Sequence, residues 1–404
     1  MTSIRVRGRE SVRESRDGRR VVVTGVGVLA ACGVGAEAFW NGLSRTPEDA
    51  VARRVEDFDA SVIGLSRVEL RRLDRFAQMA LVAADEAITD AGLGDEDGDG
   101  TGVLIGSGIG GAYSWEEQVR TLDAKGARRV SPLTIPMVMP NAAAGAVSQR
   151  WGLTGPCETI STACATGTQS IAGAARWIAS GRADVVLAGG TESCLTGVNL
   201  AGFGNMRALS PTGTSRPFAA GRDGFCAAEG AGVLVLEERS RAVARGARIY
   251  AEIVGTGSTA DAYHLTAPAP EGRGAAAAMR EALADGGVAP EQVTHVNAHG
   301  TGTALNDAAE AEAIAAVFGP SGPAVTSIKG VTGHSLGAAG AIEAAAVALT
   351  YLHRTLPPTM GSGAADPALK IDLVTAPRPW EPAHVMSNSF AFGGHNATLL
   401  FAPA

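Results

Sequence analysis

One order of strands and helices runs through this chain twice. From Val21 the run VVVTGVGVLAACG reads as a short buried strand leading into a glycine-containing turn, and similar apolar strands follow at Gly102–Ile105, Asp184–Ala188 and Gly232–Leu236. Helical patterns such as Leu73–Ala91 and Gly167–Ser180 separate them. The same order begins again after Arg248: strand AEIVGTGS, helix Gly274–Ala284, strand THVNAHG, helix Ala308–Val317, strand AVTSIKG, helix Leu336–Leu352 and a last strand ATLLF. Alternation of this kind predicts an α/β fold. The stretch between the two runs, ERSRAVARGARIY, has neither the composition nor the length of a flexible tether. We therefore expect one body made of a duplicated unit, with halves at 21–248 and 249–404 behind an N-terminal tail at 1–20.

Composition limits what such a body can do. The chain has 53 glycines and only 5% aromatic residues, so its elements must approach one another closely. Net charge is −7 and no stretch concentrates Lys and Arg among aromatics, which argues against nucleic acid as a partner. Five scattered cysteines (Cys32, Cys157, Cys164, Cys194, Cys226) form neither a disulfide framework nor a paired metal motif, and a reducing cytoplasm fits them. His295 and His299 share a face of a strand-like segment at a spacing too long for easy zinc sharing, so no metal site is expected. The first 20 residues hold seven Arg and three acids and lack the apolar core of a secretory signal. The most apolar later stretch, Leu336–Leu352, is interrupted by Glu343 and too short to cross a bilayer, so no membrane span is expected.

One cysteine stands apart. In ISTACATGTQSIAGAARWIASG, Cys164 falls where a strand-like run gives way to a helix of small residues. A thiol there faces unsatisfied backbone N–H groups and the positive end of the helix dipole, a setting expected to lower its pKa and populate the thiolate that attacks. The other four cysteines read as inert, buried and small. Far along the chain, His299 (NAHGTGTALNDAAEAEA) and His334 (SIKGVTGHSLGAAGA) each sit in a Gly/Thr-rich turn after a strand-like run.

These segments, with RPFAAGRDGFCAAEGAGVLVLE and SNSFAFGGHNATLLF, resemble the elongating β-ketoacyl-ACP synthases of the thiolase superfamily, the type II fatty-acid and polyketide ketosynthases. The resemblance runs from about Val21 to the C-terminus. It implies the five-layered αβαβα thiolase fold and a cytoplasmic enzyme that loads an acyl chain onto Cys164 and condenses it with malonyl-ACP by decarboxylative Claisen chemistry. A polyketide role is slightly favoured. The implied triad is Cys164, His299 and His334, with Lys329 and Glu310 as the supporting ion-pair and water-ordering positions. The backbone N–H groups of Cys164 and Phe392 would form the oxyanion hole. Thr301 and Thr303 would hold the phosphopantetheine arm, which arrives on acyl carrier protein rather than as a resident cofactor. Ile109, Phe203 and Phe392 would line or gate the acyl pocket, and Arg67, Arg71, Arg72 and Arg207 would dock the acidic carrier protein. The resemblance further implies a dimer, of two copies or of this chain with a chain-length subunit, in contact near Pro140–Ser148 and the run before Cys164.

Other motifs compete. Gly25-x-Gly27-x-x-Ala30 is a weak dinucleotide fingerprint that lacks its acidic partner. Gly333-His-Ser-Leu-Gly337 satisfies the nucleophile elbow of acyl transferases and makes Ser335 the rival nucleophile. A non-catalytic chain-length subunit is a third reading, disfavoured by the presence of Cys164. Three residues depart from the usual ketosynthase pattern: Ala391 and Ala228 stand where Gly is common, and His395 where Thr or Phe is.

Overall fold

The structure, a computed structural model, describes residues 18–47, 49–94, 97–320 and 322–404. Most of the expected tail at 1–20 lies outside them. Its last residues are tied down: Arg19 Nε donates to Ile178 O at 2.9 Å and Arg20 pairs with Glu252.

Five strands of the first half follow the repeated path: β1 (Val21–Ala30), β2 (Gly102–Gly106), β3 (Cys157–Glu158), β4 (Val185–Glu192) and β5 (Gly230–Glu238). The second supplies β6 (Ala251–Ala260), β7 (Val293–Asn297), β8 (Ala324–Thr326), β9 (His384–Ala391) and β10 (His395–Ala402). Their spatial orders are β3-β2-β4-β5-β1 and β8-β7-β9-β10-β6, the same path taken twice. Strand directions repeat as well: β3, β2 and β4 run parallel, as do β8, β7 and β9, and the remaining neighbours in each half are antiparallel. β1 and β6 pair over Val21–Val23 and Ala251–Ile253, which joins the halves into one twelve-stranded sheet together with Gly33–Val34 and Asp372–Leu373.

Six helices complete the repeat. They are α1 (Arg75–Ala91), α2 (Ala142–Trp151) and α3 (Thr166–Ala179) in the first half, and α4 (Arg273–Gly286), α5 (Ala304–Phe318) and α6 (Ala339–His353) in the second. α3 and α6 lie between the two half-sheets, while α1 with α2 and α4 with α5 cover the outer faces, giving the five layers. β4 and β5 are therefore buried on both faces and show no polar alternation. α6 is apolar on nearly every side for the same reason, Glu343 apart. The segment Leu336–His353 is long and apolar enough to span a bilayer, but 89% of it is buried inside the fold.

The Gly-x-Gly of β1 is a packing device. A Cβ at Gly25 or Gly27 would fall 2.2 or 1.8 Å from the carbonyl oxygens of Ala87 and Ala83 on α1. Gly255 and Gly257 meet α4 identically, at 2.2 and 1.9 Å from Ala282 O and Ala278 O. Beyond their short pairing β1 and β6 diverge, and carboxylates of the outer helices take up the amides left without a strand partner. Asp90 and Glu86 accept from Val26 and Val28, and Asp285 and Glu281 from Thr256 and Ser258, each at 2.9 Å. The dinucleotide fingerprint is thus one of two copies of a strand–helix contact.

Element boundaries shift where caps decide them. α5 begins at Ala304 rather than Ala308, because the Thr303 hydroxyl accepts from Asn306 N at 3.3 Å. The helix expected from Leu336 opens with a tight turn, Leu336–Ala338, before α6 proper.

Candidate active site

α3 is entered through a sharp turn, Ala163–Ala165, in which Ala163 has φ 49° and Cys164 follows. α6 is entered through its counterpart, Leu336–Ala338, with Leu336 at φ 46°. A left-handed non-glycine residue costs about 1–3 kcal/mol, so each turn is held by its surroundings. The repeat equates Cys164 with Gly337 and Thr162 with Ser335. Ser335 therefore stands two residues before the nucleophile position of its own turn, which the GHSLG pattern does not reveal. At that position a Cβ on Gly337 would lie 2.5 Å from Gly108 N and 2.7 Å from Glu192 Oε2, so no side chain fits. The two helices cross at paired glycines: a Cβ on Gly167 would meet Ala341 N at 2.6 Å, and one on Gly340 would meet Thr168 Oγ1 at 2.1 Å. Close crossing brings the two turns face to face.

His334 reaches the thiol from the second turn. Its backbone is pinned on both sides, His334 N donating to Cys226 O at 2.8 Å and Ala228 N to His334 O at 3.0 Å. Its Nε2 lies 3.1 Å from Cys164 Sγ, and the Phe225 ring stands edge-on to its imidazole at 5.2 Å. His299 comes from the loop after β7, where Glu310 on α5 accepts from His299 N (2.8 Å) and Gly300 N (2.7 Å). The reactive atoms of Cys164, His299 and His334 all lie within 4.8 Å of one another.

Protonation follows from what surrounds them. Lys329 Nζ is 3.4 Å from His299 Nδ1, and an ammonium can only donate. Burial, with help from Lys329, holds His299 and His334 well below the usual imidazole range, so both are neutral. Neutral His299 therefore carries its proton on Nε2, which makes it a donor. The expected lowering of the Cys164 pKa is not found: burial pushes the thiol up to about 12, against the opposing pull of Lys329 and the Phe392 backbone N–H. Loss of water outweighs the helix start in this closed site, so the resting pair is a thiol and a neutral imidazole. The hydrogen bond from Phe392 N also sets the second expected oxyanion donor beside the sulfur.

Lys329 and Glu310 do not pair. Lys329 forms a buried ion pair with Glu343 on α6, and Glu310 is occupied by the two amides. Burial pushes Glu310 and Glu343 each up to about 7. In the sequence Glu343 shows only as an interruption of an apolar run, and that lone acid in a buried helix is the signal that marks it. Glu192 was missed altogether. It is fully buried and accepts from Ser107 Oγ, Gly108 N and Gly337 N, tying the second turn to the end of β2.

A cavity of about 310 Å³ leads to this cluster, lined by Cys164, His299, His334, Thr301, Thr303 and Phe392, with the exposed Arg207 also on its wall. Phe203 is packed beside Cys164 and Cys194 and edge-on to Phe225, away from the cavity wall. Ile109 is 40% exposed and also off it. Arg67, Arg71 and Arg72 are exposed around the short helix Arg67–Leu70, and Arg71 borders a separate depression. His295 is buried on β7 and bonded to Thr326 Oγ1 at 2.8 Å. Cys157, expected to be buried, is exposed on the edge strand β3.

Two half-sheets, a turn-borne cysteine and two neutral histidines at the floor of one cavity define a thiol acyltransferase of the thiolase class. The chain matches the β-ketoacyl synthase N-terminal domain over residues 42–242 and the C-terminal domain over 250–362, and it belongs to the β-ketoacyl synthase family. It is 44% identical to 3-oxoacyl-[acyl-carrier-protein] synthase 2 of Staphylococcus aureus (strain N315), covering 95% of this chain and 98% of the relative. Among solved structures it is similar to the ishigamide ketosynthase/chain length factor, with TM-score 0.89, 34% identity and coverage of 96% of this chain and 99% of the other. It is likewise similar to a type II polyketide ketosynthase in complex with its acyl-carrier protein, with TM-score 0.87, 32% identity and coverage of 96% and 99%.

Proposed function

We propose that this β-ketoacyl synthase elongates acyl chains carried on acyl carrier protein, with Cys164 as the nucleophile. The observation that carries this reading is the 3.1 Å contact of Cys164 Sγ with His334 Nε2 at the floor of the cavity. In the first half-reaction the thiol attacks the incoming thioester, its proton passes to His334, and the pantetheine thiolate leaves and takes that proton. In the second, the bond from malonyl carbon to carboxylate breaks, CO2 departs, and the enolate oxygen is held by the Nε2–H of His299. The enolate carbon then attacks the acyl-Cys164 carbonyl, whose developing oxyanion faces the N–H groups of Cys164 and Phe392. Collapse expels the Cys164 thiolate, which takes up a proton supplied by solvent. Lys329, held by Glu343, fixes the His299 tautomer, and Glu310 fixes its backbone. Thr301 and Thr303 line the path of the phosphopantetheine arm.

Intact-mass measurement after offering acyl-ACP tests this. The wild type and Ser335→Ala should gain the acyl mass and Cys164→Ala should not; loading that survives in Cys164→Ala sinks the proposal.

A dimer is supported by an apolar stripe of Trp115, Val119 and Leu122 on the helix Ala112–Lys125, exposed together with Leu133, Ile135 and Met139 on the segment that follows it. Arg67, Arg71 and Arg72 offer the acidic carrier a basic surface. Condensation on a carrier is common to fatty-acid and type II polyketide elongation, and the relatives bear names of both kinds.

A further inference from the structure

One buried cation takes no part in the mechanism. Arg53 is 6% exposed, and what its guanidinium holds is backbone: Nη1 donates to Gly330 O at 2.8 Å and to Val331 O at 2.7 Å. Nε and Nη2 meet no oxygen acceptor among the described residues and lie by the Cys226 sulfur. Withdrawing a guanidinium from water is costly, and those two carbonyls are the contacts that offset it.

Both carbonyls belong to the short helix Lys329–Thr332, which runs from the lysine beside His299 to the turn that carries His334. A helix end leaves carbonyls without amides, and here the cause is visible. His334 N, which would continue the helix onto Gly330 O, donates instead to Cys226 O. Arg53 supplies the donor that His334 withholds, and a second for Val331 O. Its side chain runs beside Gly333, where a Cβ would lie 3.3 Å from Arg53 Cδ. Its backbone is fixed on the strand pair that also holds His334: Ala52–Arg53 pairs with Ala227–Ala228, and Ala228 N donates to His334 O at 3.0 Å.

We propose that Arg53 is a positioning residue for the Lys329–His334 segment: by taking over the hydrogen bonds the helix loses where His334 turns away, it sets the reach of His334 toward Cys164. This rests on the ketosynthase reading and ties the proton-handling groups of the second half to a side chain of the first.

Single-turnover acylation of Cys164 by acyl-ACP tests this, because its rate constant does not depend on what fraction of a sample is folded, whereas its amplitude does. Arg53→Met fills similar space without donors. It should lower the rate constant at least about tenfold, as a small displacement of a proton acceptor does, with the half-saturating acyl-ACP concentration within about twofold. Arg53→Lys keeps the charge, but its ammonium ends a bond short of Nη1, so its rate constant should fall between, at least about threefold below wild type. Arg54→Ala removes the neighbouring exposed cation, which donates to Tyr113 Oη and Leu195 O, and should stay within about twofold. A loss confined to amplitude, or an equal loss in Arg54→Ala, overturns the inference. So does a wild-type rate constant in Arg53→Lys, which decides the matter if Arg53→Met does not fold. Alkylation of Cys164 by iodoacetamide needs no carrier protein and should slow in the same order; equal rates in all variants overturn the inference. A wild type that is alkylated at Cys164 but gains no acyl mass would instead overturn the proposed function, and the alkylation rates would then decide the role of Arg53.

Discussion

The two halves of this molecule follow the same path and do different work. Each enters its central helix through a turn with one left-handed non-glycine residue, Ala163 or Leu336, and each faces the other across the α3–α6 crossing. In the first half the next residue is Cys164. In the second it is Gly337, walled in by Gly108 and Glu192, and the chemistry has moved into the flanking segments as His299, Lys329, His334 and Glu343. In the proposed mechanism one half gives the nucleophile and the other gives the groups that move and hold protons. A duplicated fold has thus become one site at the seam between copies, because that seam is where both helix starts meet.

The sharpest way to break this comparison is to move the thiol. In a Cys164→Ala background, Gly337→Cys should restore no acyl loading by mass, because the second turn has neither a free volume nor a facing histidine; any loading would show the halves to be interchangeable. Next in size is the donor side. His299→Ala should slow malonyl-ACP decarboxylation about 100- to 1,000-fold while leaving acyl transfer to Cys164 within about tenfold, which separates the two half-reactions by residue. Glu343→Gln removes the charge that holds Lys329 and should cost about 10- to 100-fold in condensation. Ser170→Ala at the matching place on α3, where the hydroxyl only bonds Thr166 O, should cost less than about threefold.

The smallest effect expected is on stability. Glu192 and Glu310 are each raised by burial from 4.5 to about 7. Between these values the folded state holds protons that the unfolded chain has lost, so their contribution is greatest at low pH and falls as pH rises through about 7. Melting temperature should therefore decline between about pH 5 and pH 7, and Glu192→Gln should flatten the decline. A curve of unchanged slope in that variant counts against Glu192.

Much of the site was legible because its residues announce themselves by local chemistry. A cysteine before a run of small helical residues and histidines in glycine-rich turns are patterns of neighbours, and Cys164, His299 and His334 converge as those patterns imply. Pairings across the fold were not legible. Lys329 was matched with the wrong acid because Glu310 lies in a motif and Glu343 in a bland helix, and only the packing of α6 beside His299 shows which carboxylate is within reach. The Cys164 pKa failed for a related reason: the helix start is visible in sequence, but burial is a sum over distant segments.

By itself, then, the sequence determined that the chain is a duplicated α/β body, where its elements begin within a few residues, and that Cys164, His299 and His334 stand out from their surroundings. These follow from periodicity, small residues and turn chemistry, all short-range. The tertiary structure alone decided that GHSLG is the emptied twin of the Cys164 turn, that Gly25-x-Gly27 seats a helix, and that the resting thiol keeps its proton. Each of those depends on what lies within a few ångströms from far along the chain, and only the folded arrangement sets that.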